Sequence, residues 1–212
     1  MSMIGKPNWP ALKQICSLVG VRHDDLASFD VDFEFPRSVR FPVLPVRTAH
    51  ALIFPLKGNS VCGAAEVLLA QRLGAKIKIN EGWIVPTDKN QQIFRRFLEH
   101  CNLTRKKYAR GTFENNLWKE IGNSAYGKTA QGLRKRRVFD LREDGMVELP
   151  ESKLTQPFFA SSITSLTRAV LGEILNALPP EVKIFSATTD GLLTTATEEQ
   201  MERATSGPLA QL

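Results

Sequence analysis

LWKEIGNSAYGK, residues 117–128, is the stretch from which the fold of this chain can be read outward. As a helix it places Lys119, Asn123 and Tyr126 at successive turns of one face. Phe113, Leu117 and Ile121 then form a second stripe, about 160–200° away on a wheel of ~100° per residue. The expectation is that the apolar stripe packs into a body while the opposite face presents an ammonium, an amide and a phenol ring. These groups suit a nucleotide: a point charge for phosphate, an amide for polar edges, an aromatic plane for sugar or base. The same periodicity also describes an ordinary surface helix with a solvated face, so the surroundings of the helix must decide.

The charge around this helix is uneven. From Arg105 to Arg137 the chain carries Arg105, Lys106, Lys107, Arg110, Lys119, Lys128, Arg134, Lys135, Arg136 and Arg137, opposed only by Glu114 and Glu120. The total charge is +6, so this segment at +8 leaves the remainder at −2. A basic band flanking one helix is an electrostatic footprint for phosphate, in a nucleic acid or a nucleotide. The rest of the composition is that of a globular protein, with 42% hydrophobic and 24% charged residues in 212. No apolar run is expected to approach the ~18–20 residues of a membrane span, and the N-terminus lacks a secretory pattern. Cys16, Cys62 and Cys101 form no CxxC pair, which fits a reducing, cytoplasmic setting, and His23, His50 and His100 lack zinc spacing.

Taken in order, residues 1–10 show no periodicity, and Ala11 to Val19 reads as a short helix stopped by Gly20. Phe29, Val31, Phe33 and Phe35 alternate with Asp30, Asp32 and Glu34, a strand pattern. Pro36, Pro42 and Pro45 mark turns or an edge, His50 to Phe54 a second strand. Gly63 to Leu73 reads as a helix stopped by Gly74, and Ala75 to Val85 as a third strand. Beyond Gln91 the period becomes helical through Ile93, Phe94, Phe97, Leu98 and Cys101; Gly111 breaks it, and Thr112 can cap the helix that carries Lys119. Two helices so joined form an antiparallel helical hairpin. A β-hairpin follows around Asp144-Gly145, then an amphipathic helix from Ser162 to Leu178 ended by Pro179-Pro180. Lys183 to Ala187 and Leu192 to Thr195 flank Thr188-Thr189-Asp190-Gly191, a tight hairpin with a carboxylate at its tip. The class is α+β.

A carboxylate on a hairpin, a phosphate-binding lysine and a basic groove are what metal-assisted phosphoryl transfer requires. Mg²⁺ wants hard oxygen ligands, usually from more than one carboxylate, so Asp190 alone is not enough.

These residues carry a resemblance. Lys119-x-x-x-Asn123-Ser124-x-Tyr126-Gly127 resembles the nucleotide-binding fingers motif of family B DNA polymerases. Phe185-Ser186-Ala187-Thr188-Thr189-Asp190-Gly191 resembles the palm hairpin motif of that family, whose core is Asp-Thr-Asp. Lys128-Thr129-Ala130-Gln131-Gly132-Leu133, Phe33-Glu34-Phe35-Pro36, Phe54-Pro55-Leu56-x-Gly58 and the stretch 74–86 are similar to viral, plasmid and mobile-element members, the branch that includes protein-primed enzymes. The likeness runs over nearly the whole chain. It implies a palm of antiparallel sheet and helices with an antiparallel helical hairpin, the fingers, inserted in it. Residues 1–89 would be the first part of the palm, 90–130 the fingers, and 131–212 the second part with a hairpin insertion.

The resemblance also assigns roles. Lys119 would bind the triphosphate of an incoming dNTP, Asn123 would line the same pocket, and Tyr126 would pack under the sugar and disfavour a 2′-hydroxyl. Lys107 would be a second triphosphate contact, with Arg105 and Lys106 as alternatives in register. Asp190 would bind Mg²⁺ and, with Lys119, serve catalysis. Gly127, Lys128, Arg134, Lys135, Arg136 and Arg137 would hold the template or primer DNA. Two departures stand out: the first Asp of the palm motif is Thr188 here, and no Asp-x-x-x-x-Tyr-Pro motif, the family's other metal-binding Asp, occurs in the sequence. The resemblance therefore implies a palm-and-fingers fragment of a larger DNA-directed DNA polymerase, inactive alone and dependent on a segment or partner polypeptide that supplies this motif. Two other readings remain open: a nucleic-acid-binding remnant or split-gene partner without turnover, and a metal nuclease using Asp30, Asp32 and Glu34, which are otherwise the wet face of a half-buried strand.

Overall fold

A computed structural model of the chain describes residues 13–85, 92–188 and 191–211. The described residues divide into two compact units, one formed within 13–85 and 161–211, the other within 92–160.

The first unit is built on a four-stranded antiparallel sheet. The alternation at Phe29–Phe35 forms a strand as expected: β2 (Ala27–Glu34) buries Ala27, Phe29, Val31 and Phe33 and turns Asp32 and Glu34 to solvent. The segment expected as a helix from Ala11 to Val19 instead contributes β1 (Lys13–Gln14). The Ile15 N–H donates to the Gly82 carbonyl at 2.9 Å, and a Cβ on Gly82 would lie 2.7 Å from the Ile15 carbonyl oxygen. Only glycine lets the chain approach this closely, and the sheet edge outcompetes the weak local helix propensity. The expected strand at His50–Phe54 contracts to a two-residue pairing of β3 (Val46–Arg47) with β4 (Leu52–Ile53).

Next comes β5 (Lys57–Gly63), which has no apolar alternation because its inward residues are small: Ser60, whose hydroxyl donates to the Pro45 carbonyl at 2.6 Å, Cys62 and Gly63. Helix α1 (Ala64–Arg72) follows with Gly74 at φ +83 beyond its end, and β6 (Lys76–Ile84) completes the sheet, both as expected. The strand order is β1-β6-β2-β5, with β2 antiparallel to both neighbours.

Helix α4 (Pro157–Ala177) starts five residues before the expected Ser162, since the Gln156 side-chain carbonyl accepts from the Phe158 and Phe159 amides. Its later turns lie against α1. Gly63 permits this approach, because a Cβ there would come within 2.4 Å of Ser165 Oγ, and Gly172 admits Val43, whose Cγ1 an added Cβ would meet at 2.6 Å. Glu66 is fully buried; its Oε1 meets Arg168 Nε at 2.5 Å and its Oε2 accepts from the Gly63 amide at 3.1 Å. A second pair has the opposite polarity: Glu173 of α4 holds Arg72 of α1, and its other oxygen accepts from the Leu209 and Ala210 amides. Contrary to the expectation that no run reaches that length, α4 is long and apolar enough, by length and composition, to cross a membrane, but Arg168 and Glu173 are engaged in these ion pairs.

The unit closes with the antiparallel hairpin β9 (Ile184–Ala187) and β10 (Leu192–Thr194) and with α5 (Glu198–Ala204), capped by Thr197. A small core of Leu178, Val182 and Ala204 lies beneath them.

In the other unit, α2 (Arg95–Arg105) and α3 (Phe113–Ala130) form a helical hairpin, and β7 (Arg137–Asp140) pairs with β8 (Gly145–Glu148) across a turn that holds Asp144 at φ +46. Contacts of His100 with Trp118 and of Arg105 with Asn115 run in opposite directions along α2 and α3, so the helices are antiparallel, as the sequence implied.

Arg168→Met is expected to destabilise the first unit by about 3 kcal/mol in urea unfolding, because it leaves the Glu66 carboxylate buried without its counter-charge. Adding Glu66→Gln should recover most of that loss; no recovery would mean that Arg168 acts by packing alone.

His23 gives a pH dependence. Its Nδ1 is buried without a partner, and burial, followed by the Arg72 guanidinium, holds its pKa below the ordinary imidazole value. As pH falls the unfolded chain takes up the proton first, so stability present above the ordinary value of ~6.5 is lost below it. His23→Gln should flatten the fall of Tm between about pH 7 and about pH 5; an unchanged slope would refute the assignment.

Candidate functional site

The surface to which the sequence points lies on the helical hairpin and the basic segment after it. The connection between α2 and α3 is set by Gly111, at φ +87, and by Thr112, whose Oγ1 accepts from the Asn115 amide at 3.3 Å. From this cap α3 runs without a break for 18 residues. Lys119, Asn123 and Tyr126 share one face that is open to solvent, Tyr126 with 45% of its surface free.

The opposite stripe behaves differently from expectation. Phe113 is 75% and Leu117 42% exposed and Ile121 is half-buried, so this stripe is only partly covered. The inward face is instead Asn115, Trp118, Gly122 and Thr129. Trp118 meets the His100 ring edge-on at 5.3 Å, and Gly122 faces Cys101, whose Cβ would lie at an ordinary contact distance of 3.7 Å from an added Cβ. Apart from Trp118, small and polar side chains make the seam, and apolar periodicity does not mark them.

Of the three cations considered for a second phosphate contact, Arg105 is committed elsewhere, with its Nε on the Asn115 side-chain oxygen at 3.3 Å. Lys106 and Lys107 are exposed. Lys128 reaches Gln131 Oε1 at 2.7 Å, and its carbonyl accepts from Ser152 Oγ. A Cβ on Gly132, which sits at φ +77, would lie 2.7 Å from the Glu151 backbone. Arg134, Lys135, Arg136 and Arg137 then follow, all exposed; Arg137 donates to the Met146 carbonyl at 2.7 Å, which lays it across the β7–β8 hairpin. No acidic partner of these four occurs among the ion pairs of the described residues. The basic band is thus a free surface in charge terms.

Asp190 lies outside the described residues. The strands that flank it form the expected hairpin, and Thr188 closes onto Gly191, its amide donating to the Gly191 carbonyl at 2.8 Å. Among the described residues no group of three His, Cys, Asp or Glu side chains is placed to hold a metal. The acidic face of β2 is occupied by amides: Asn59 donates to Asp30 at 2.6 Å and to Asp32 at 3.1 Å, while Glu34 pairs with Lys57. The amides of Asn59 and Asn80 hold the Asp32 carboxyl below its usual range. This is the ladder of a wet sheet face.

No protein-family model matches the sequence. The fold aligns with that of Phi29 DNA polymerase complexed with primer-template DNA, over 78% of this chain and 31% of that one, with a TM-score of 0.51 and 15% identity. The fold is therefore that of a part of a DNA polymerase, mixed α and β with antiparallel sheets. In sequence the chain is 43% identical over 189 residues to the primer-independent DNA polymerase PolB of Escherichia coli, an alignment covering 85% of this chain. The chain spans 22% of that relative's length. The resemblance to family B DNA polymerases carried by the motifs is borne out, and the chain is related to them over the segment compared.

Gly127 sits in α3 beside Tyr126, and an added Cβ there would meet no protein atom within 4 Å. Nothing in the fold requires glycine at this position, and glycine costs a helix about 1 kcal/mol relative to alanine. Gly127→Ala is accordingly expected to raise stability by roughly that amount in denaturant unfolding; destabilisation would show that the position is crowded.

Proposed function

We propose that this chain is the nucleotide-binding and primer-template-binding core of a DNA-directed DNA polymerase, contributing to transfer of a nucleotidyl group from a dNTP to a primer end in DNA replication. The observation that carries the reading is the uninterrupted, solvent-facing row of Lys119, Asn123 and Tyr126 on α3, in the stretch that matches the fingers motif. In this reading residues 90–130 act as the fingers, and residues 1–89 with 131–212 as the two parts of a palm that work inside the cell.

The roles follow from the chemistry of the groups. The Lys119 ammonium neutralises the triphosphate and stabilises charge that grows on the departing pyrophosphate. Lys107 gives a second contact. Asn123 offers both a donor and an acceptor to the nucleotide, and the Tyr126 ring forms a floor under the sugar that leaves no room for a 2′-hydroxyl. Gly127 leaves bare helix backbone next to that ring, suited to close approach by the DNA. Lys128 and Arg134, Lys135, Arg136 and Arg137 hold the phosphate backbone without reading sequence. Asp190 would be this chain's ligand to a divalent cation, Mg²⁺ as the specific choice, which when bound lowers the pKa of the attacking hydroxyl. One carboxylate is too few for such an ion, so a segment carrying Asp-x-x-x-x-Tyr-Pro must supply the other.

Primer extension by the chain mixed with a polypeptide that carries this motif tests the reading. Activity should appear on mixing and fall at least about a hundredfold in Lys119→Ala and in Asp190→Asn; unchanged activity in either would overturn its role. Independently of turnover, replacing the four basic residues 134–137 by alanine should make log affinity fall less steeply with log salt, by about 0.7–0.9 for each phosphate that these side chains neutralise. Gly127→Ala should weaken primer-template binding while keeping its gain in stability.

A further inference from the structure

We propose that Asn115 is the positioning residue that sets the register of α2 against α3, and with it the spacing between Lys107 and Lys119; the proposal rests on the nucleotide-binding reading of that face. Asn115 is buried, with 5% of its surface exposed. Its side-chain NH₂ donates to the carbonyls of Arg105 and Tyr108, each at 3.1 Å, and its side-chain oxygen accepts from Arg105 Nε at 3.3 Å. The Arg105 carbonyl ends α2 and also accepts from the Tyr108 amide at 3.2 Å, while the Tyr108 carbonyl belongs to the connection, so this amide reaches both from the neighbouring helix. The backbone of Asn115 is itself held by Thr112 at the start of α3. One residue thus ties the end of α2, the connection and the first turn of α3 together.

The remainder of the seam has little that could do the same. Cys101 is the one buried residue of α2, and Asn115 and Thr129 are those of α3. Phe97, Leu98, Leu103 and Leu117 are each at least 40% exposed, so large apolar side chains do not interlock between the helices. Without ridges in grooves, a slip of one turn, about 5.4 Å, would cost the rest of the seam little beyond the edge-on contact of Trp118 with His100. It would break all three Asn115 bonds and leave a buried amide unpaired, which is how a single buried Asn specifies register between helices. The displacement equals a large part of the length of a triphosphate, so a slipped hairpin would separate the two lysines from a shared ligand. The bond from Arg105 Nε to Asn115 also turns this guanidinium toward the seam, while Lys106, Lys107 and Arg110 of the connection stay exposed.

Binding of inorganic tripolyphosphate and of dTTP to the full 212-residue chain, measured calorimetrically with helix content followed by circular dichroism, tests this assignment. With Asn115 intact, Lys107→Ala and Lys119→Ala should each weaken binding. In Asn115→Ser the affinity should fall about tenfold with helix content kept, and adding Lys107→Ala should then cost nothing more. Asn115→Asp, which keeps the shape and removes both donors, should behave alike. An affinity within about twofold of the parent in both variants, or a Lys107→Ala effect that survives in them, would overturn the positioning role. Loss of helix content in both variants would also overturn it, since Asn115 would then hold the hairpin together rather than set its register. If Lys119→Ala has no effect in the otherwise unchanged chain, the nucleotide-binding reading has failed instead.

Discussion

A carboxylate with no access to water organises the sheet unit. Glu66 must be answered on both oxygens, and it is: by the Gly63 amide at the start of its own helix and by Arg168 from a helix about a hundred residues further along the chain. A buried charge left without a partner costs several kcal/mol, so the pair specifies where α4 lies more strictly than apolar contact would. The reversed pair of Arg72 and Glu173 repeats the constraint one end over, and two pairs of opposite polarity cannot be satisfied by a slipped or inverted α4. Gly63 is the steric counterpart, since a Cβ at the start of α1 would meet Ser165 of α4.

The helical hairpin obeys a different logic. Its seam is thin and mostly polar, and it leaves Phe113 and Leu103 largely in solvent. Such an element has little hydrophobic stabilisation of its own and depends on caps, on the Thr112 and Asn115 hydrogen bonds and on the edge-on packing of Trp118 against His100. Under the proposed function this suits a part that must present cations and a ring to a nucleotide, because the polar face of α3 need not compete with a packed core for its side chains. Elements with few buried apolar contacts are also those that open most readily.

Much of the fold is legible in the order of residues, and the reasons differ by element. Phe29 to Phe35 can be read because every inward residue is large and every outward one charged. Helices α1 and α3 can be read because Gly74 and the Gly111-Thr112 pair mark their ends with local chemistry. β5 cannot, since Ser60, Cys62 and Gly63 face inward with no apolar signal. β1 looks helical from its neighbours alone, because its partners Trp83 and Ile84 lie in β6, far along the chain, and offer a reason for extended backbone that no local window contains. In the candidate site Lys119, Asn123 and Tyr126 can be placed on one face from spacing alone. Asn115, three residues after the cap, is indistinguishable from a solvated amide until α2 is packed against it.

The sequence by itself determined the periodic elements, the basic band and the motif that relates this chain to DNA polymerases, because spacing and charge are properties of neighbours along the chain. Tertiary structure alone decided which stripe of α3 is buried, which of Arg105, Lys106 and Lys107 stays free, and that Glu66 and Glu173 are structural carboxylates. Each of those outcomes depends on what a distant segment brings to within hydrogen-bonding distance, and desolvation, unlike periodicity, is not written in the order of residues.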